Sequence, residues 1–193
     1  ALGVLNSKYK NYAWEGTSQD GYADAIEGAL NLYVREPVAE AEQWLNSEIK
    51  VMWGKQQSSG IIEGWHGDGN FARTTIMYCL WKSQGLTADA WDEKLHLGAE
   101  SRNGVLYVSV SCEQGWSGEL KFDIPRWREK MHMPLDYPRI NQFQQWFSVE
   151  SGKSYKITFF PSGKSKKYTG RELITGLHVS IKPGEKIFIT VKD

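Results

Sequence analysis

The chain has 193 residues, with 23 Lys+Arg balanced by 23 Asp+Glu, so it lacks the net charge that recruits nucleic acid or an anionic membrane from a distance. No window approaches the roughly eighteen consecutive apolar residues of a membrane span, and the given chain does not open on a signal peptide. Nine Trp and nine Tyr are the unusual quantity: Trp faces stack on the apolar C–H faces of sugars while the indole N–H keeps a polar partner, although any single Trp is more often core.

The polar, aromatic stretch from Asn6 to Trp14 reads as the middle of a longer protein, and processing upstream of Ala1 is expected. From Asp20 to Glu36, Tyr22, Ala25, Ile26, Ala29, Leu32 and Tyr33 recur at helical spacing. Pro37 is expected to stop that helix and to occupy the first position of the next. There Val38, Ala41, Leu45, Ile49 and Met52 form an apolar stripe against Glu40, Gln43, Asn46, Ser47 and Lys50.

A third helix is predicted from an Asp68 N-cap to a Gly85 stop. Its run Phe71 to Trp81 is apolar almost all round, which predicts enclosure by other helices. Arg73 inside it needs a carboxylate, and Asp24 or Glu27 of the first helix is the expected partner. Cys79 here and Cys112 in a later strand are expected as buried, unpaired thiols.

After a linker at Leu86 to Lys94 the period changes to two. Strands are predicted at Leu95 to Ala99, Val105 to Cys112, Glu119 to Ile124, Lys130 to Met133, Trp146 to Val149, Ser154 to Phe160, His178 to Ile181 and Ile187 to Val191. Asn103-Gly104 supplies a hairpin turn. The fold class is therefore α+β: a helical segment over residues 1–90, then an antiparallel β-sandwich over 91–193.

Two loops concentrate chemistry. Tyr12 to Asp20 brings Trp14, Glu15 and Asp20 to the start of the first helix, and Ile62 to Asn70 brings Glu63, Trp65, His66 and Asp68 to the start of the third. With helices running up, down and up, the two loops come level, so Glu15, Asp20, Glu63, His66 and Asp68 face one cavity. Glycoside hydrolysis needs a protonated and an ionised carboxyl, whereas polysaccharide elimination needs a base such as His or Tyr, and both inventories are present. Asp68 reads more readily as a helix cap than as a functional acid. His66 and Asp68 lack a third ligand at fixed spacing, so no metal is expected. In the second half Trp116, Trp127, Trp146 and the segment Asp136 to Phe143 are alternatives for holding a sugar or for cementing the domain junction.

The stretches Ser18-Gln-Asp-Gly-Tyr-Ala-Asp-Ala-Ile-Glu27 and Glu63-Gly-Trp-His-Gly-Asp-Gly-Asn-Phe-Ala-Arg73 resemble the helix starts of bacterial (α/α) toroid glycoside hydrolases and polysaccharide lyases. The resemblance implies the C-terminal part of a carbohydrate-active enzyme, with hydrolysis favoured over elimination and a missing N-terminal helical part. It implies a periplasmic or secreted location, a carbohydrate partner and no cofactor, nucleic acid or membrane. Glu63, Asp68, Asp20 and His66 would be catalytic, and Trp14, Glu15, Trp65 and Arg73 substrate-binding. A non-catalytic carbohydrate-binding module with Trp116 and Trp127 as its platform, and a structural or interaction domain, are the rival readings.

Overall fold

The structure, a computed structural model, describes residues 2–62, 69–136 and 144–193. The chain forms two compact units, the first taking it up to Cys79 and the second resuming at Leu80.

The helical unit opens with a 3-10 turn at Leu2–Val4, helix α1 at Leu5–Lys8 and a second 3-10 turn at Trp14–Thr17, followed by α2 (Gln19–Tyr33), α3 (Ala39–Trp53) and the start of α4 (Asn70–Ser83). Ser18 caps α2 by accepting a hydrogen bond from the Gly21 amide. Helix α2 then buries Tyr22, Ala23, Ile26, Ala29 and Leu30, while Leu32 faces solvent. The chain leaves the helix after Tyr33, ahead of Glu36, because a residue before proline is driven out of helical geometry. Pro37 accordingly lies upstream of α3, not at its first position, and Val38 stands at the N-cap without a side-chain bond. The α3 stripe of Ala41, Leu45, Ile49 and Met52 is fully buried, joined by Trp44 and by Glu48.

Helix α4 differs from its expected environment. Thr74 and Met77 form its buried stripe in this unit, while Ala72, Ile76 and Cys79 are exposed. An apolar composition without a 3.6-residue period does not say which side is covered. Cys79 is therefore not a buried thiol, whereas Cys112 is. The predicted stop at Gly85 is realised as a left-handed terminus: Gln84 (φ 51°) and Gly85 (φ 79°) both have positive φ, and the Gly85 amide donates to the Leu80 carbonyl at 2.8 Å.

The second unit holds β1 (Thr87–Asp89), β2 (Leu95–Arg102), β3 (Val105–Cys112), β4 (Trp116–Lys121), a short helix α5 (Arg126–Glu129), β5 (Ser154–Phe160), β6 (Lys164–Thr169), α6 (Gly170–Thr175), β7 (Leu177–Ile181) and β8 (Lys186–Lys192). Two antiparallel sheets result, a three-stranded one in the order β1-β4-β7 and a five-stranded one in the order β2-β3-β8-β5-β6, roughly a sandwich. Leu106, Val108, Val110, Leu120, Ile157, Leu177, Ile189 and Val191 fill the core from both sheets. Every second residue of β3, β7 and β8 points there, as the two-residue period requires. Asn103 and Gly104 take φ of 51° and 75° in the tight β2–β3 turn.

Several strand assignments change. Lys130–Met133 is not a strand but follows α5 in a turn, and Trp146–Val149 is reduced to an isolated bridge between Ser148 and Asp123. Helix α6 is fixed by a capping box between Thr169 and Glu172.

Candidate functional site

The helical unit brings one face of α2 against one face of α4. Asp20, Asp24 and Glu27 lie at i, i+4 and i+7 on α2, and Asn70 and Arg73 at i and i+3 on α4, so each set shares a side of its helix. The Asn70 side-chain amide donates to the Asp20 carboxylate. One turn deeper the Thr74 hydroxyl donates to the Ala23 carbonyl at 3.1 Å, and the Arg73 guanidinium meets Glu27 at 2.5 Å and Asp24 at 3.9 Å. The Gln19 amide donates to the Ile62 carbonyl at 3.2 Å. The start of α2 and the start of α4 are therefore level and in contact.

Electrostatically the cluster is graded by burial. Glu27 has a side chain only 9% exposed and is neutralised by Arg73. Asp24, with a more open side chain, has its carboxyl held above the ordinary range. The causes are desolvation first, then the neighbouring Asp20 and Glu27 charges, opposed by Arg73, with Glu15 adding to the rise. A carboxyl raised above its ordinary range keeps its proton to higher pH, as a general acid must.

Each predicted residue has a definite status. Asp20 lies in this cluster, and Arg73 has found the acid partners expected of it. Glu15 sits on a backbone turn of three successive left-handed residues, Glu15 (φ 46°), Gly16 (φ 65°) and Thr17 (φ 76°), and accepts from the Ser18 hydroxyl at 3.2 Å. Trp14 is wedged among aromatic rings, stacked on Tyr9 and edge-on to Tyr12 and Trp44. Glu63, Trp65, His66 and Asp68 lie outside the described residues, as does most of the Asp136 to Phe143 segment. Asp24, expected as a partner for Arg73, also joins the acid cluster, and its i+4 spacing from Asp20 is the signal in the sequence. Glu48, buried on α3 at i+7 from Ala41 and i+3 from Leu45, interrupts the apolar stripe, and a charged residue at a stripe position is its signal in the sequence.

Among the described residues no group of three or more His, Cys, Asp or Glu side chains could hold a metal ion, and no helix is long and apolar enough to cross a membrane. In the β unit Trp116 is a core residue, 7% exposed, whose indole N–H donates to the Ala90 carbonyl at 2.9 Å, so it cannot serve as an exposed sugar platform. Trp127 is half-buried. A further polar pair, without a sequence signature, lines a 210 Å³ cavity of the same unit: Asp123 accepts from Arg126 at 3.0 Å, and it also accepts from Gln145 at 3.1 Å.

No protein-family model matches the chain, and no curated protein is significantly similar to it.

Proposed function

We propose that this chain is the C-terminal part of a carbohydrate-active enzyme that cleaves a polysaccharide or oligosaccharide, by hydrolysis in preference to elimination. On this reading its helices are a segment of an (α/α) toroid completed by preceding helices, and it works in the periplasm or outside the cell. The observation that carries the reading is the contact between Asn70 and Asp20, which sets the first turn of α2 beside the first turn of α4. Asp24, beside Asp20 and Glu27 on the same face of α2, is assigned the general-acid role, its carboxyl pushed above the ordinary range by desolvation first and then by the neighbouring acids. Asp20, oriented by Asn70, is its carboxyl partner, and Glu63, His66 and Asp68 of the segment preceding α4 are the further catalytic candidates. Trp14, Glu15, Trp65 and Arg73 are the proposed substrate-binding residues.

The test is release of new reducing ends, or of unsaturated ends for elimination, from a panel of plant and bacterial polysaccharides by the chain and by the protein extended upstream of Ala1. Asp24→Asn and Asp20→Asn should each lower turnover by about a hundredfold or more, the usual scale of a lost acid–base group. Turnover unchanged in both variants would remove the proposal.

A further inference from the structure

The five-stranded sheet turns one face to the core and the other to solvent, and the residues on the outer face are sorted into rows. Residues directly opposite one another on paired strands project to the same side. The register Lys167↔Lys156 on β6 and β5, and Lys156↔Lys192 on β5 and β8, therefore sets three lysines side by side across three strands. All three are exposed. The next row holds Ser165, Thr158, Thr190 and Tyr107 and ends at the β2 edge on Glu100, which pairs with Arg102, and the Ser165 and Thr158 hydroxyls are 2.8 Å apart. Beyond it Phe160 faces Phe188 across β5 and β8. Lys186 closes the far side, its ammonium 5.1 Å from the centre of the Phe188 ring.

Two features of this face do not serve folding. Like charges directly opposite on neighbouring strands are destabilising, and among the described residues no acid pairs with Lys156, Lys167 or Lys192. Tyr107, Phe160 and Phe188 are 48%, 42% and 49% exposed, although each would contribute more to stability if buried. Both costs are relieved together by a partner that is anionic, polyhydroxylated and flat on one side.

We infer that the outer face of the five-stranded sheet binds an acidic polysaccharide: carboxylates on the lysine row, hydroxyls on the Ser/Thr/Tyr row, and the apolar face of a sugar ring on Phe160 and Phe188. This rests on the carbohydrate reading above and adds to it a substrate class and a holding surface apart from the acid cluster. Single-stranded nucleic acid fits less well, because it requires aromatic platforms repeated along a basic groove, whereas here the Phe residues are gathered in one row. The balanced charge of the whole chain, 23 against 23, also lacks the long-range attraction typical of nucleic-acid partners.

The test is titration of the full chain with polygalacturonate, with neutral dextran and with oligo(dT), by calorimetry at low salt. Polygalacturonate should bind, dextran should not, and the affinity should fall by about tenfold or more between low and physiological salt, as pairing of exposed charges requires. Lys156→Glu combined with Lys192→Glu should lower affinity by at least about tenfold, the scale of losing and reversing two charge contacts. Lys156→Arg with Lys192→Arg should retain it, and Phe188→Ala should weaken it by about threefold or more through lost stacking. Asp20→Asn should leave this binding intact even where it abolishes cleavage, so the two proposals fail separately. No binding of polygalacturonate, unchanged binding in the double Glu variant, or tighter binding of oligo(dT) would overturn the inference.

Discussion

Replacing Arg73 by glutamine should destabilise the helical unit more than any other single polar change at the α2–α4 contact. Glu27 has a side chain 9% exposed and its carboxylate is 2.5 Å from the guanidinium, whose own side chain is 26% exposed. Breaking a fully buried pair from one side costs about 3–5 kcal/mol, because the remaining charge is stranded out of water. The partial exposure of Arg73 lets water reach a stranded Glu27, which reduces the expected loss to about 2–3 kcal/mol. Glu27→Gln removes the buried charge itself and leaves Arg73 with Asp24 at 3.9 Å, so it should cost only about 1 kcal/mol, the scale of one ordinary hydrogen bond. The double variant should be less destabilised than the sum of the two by about 1–2 kcal/mol, the coupling expected of side chains in direct contact. Urea unfolding followed by circular dichroism at 222 nm isolates the helical signal. Additive losses, or a loss below about 0.5 kcal/mol for Arg73→Gln, would show that the pair does not hold α4 against α2.

Three further outcomes follow from other parts of the chain. Gly118→Ala should lower the stability of the β unit by about 2 kcal/mol or more, since the added Cβ would fall 2.6 Å from the Asp89 carbonyl oxygen and against the Trp116 ring; thermal unfolding of the variant checks it. Burial holds the Glu48 carboxyl above its ordinary range, so the folded protein binds this proton more tightly than the unfolded chain does. That contribution is full below the unfolded carboxyl value and is lost as pH rises through the raised folded value. Glu48→Gln should therefore gain stability relative to the parent as pH is raised from acid to neutral, read from urea midpoints across that range. Thr169→Ala removes the side chain that accepts from the Glu172 amide in the α6 capping box, and should cost about 1 kcal/mol in the same unfolding measurement.

What could be read from the sequence was what carries a period or a turn signature. The α3 stripe from Ala41 to Met52 and the Asn103-Gly104 hairpin stand where pattern and turn chemistry put them, and Ser154–Phe160 alternates cleanly because one face of β5 is buried. Strand β6 was illegible for a physical reason: Lys164–Thr169 is an edge strand with nearly every side chain in solvent, so no apolar alternation marks it. Strand β1 is too short for a period and was hidden in the Leu86 to Lys94 linker. Helix α6 is equally short, although Thr169 and Glu172 spelled its cap. In the candidate site, Arg73 announced its need for an acid through its position in an apolar run, and the level arrangement of Asp20 and Asn70 followed from counting helices. The raised carboxyl of Asp24 could not be read, since it depends on desolvation and on which acids fold beside it rather than on residue type.

The acid cluster at the starts of α2 and α4 is tested most directly by a carbon-detected NMR titration of the Asp24 carboxyl in the wild-type chain and in Asp20→Asn. The expected result is a midpoint above the ordinary Asp range that moves down once the Asp20 charge is removed. An ordinary midpoint, indifferent to Asp20→Asn, would contradict a shared, partly desolvated group of carboxylates at this end of the helices.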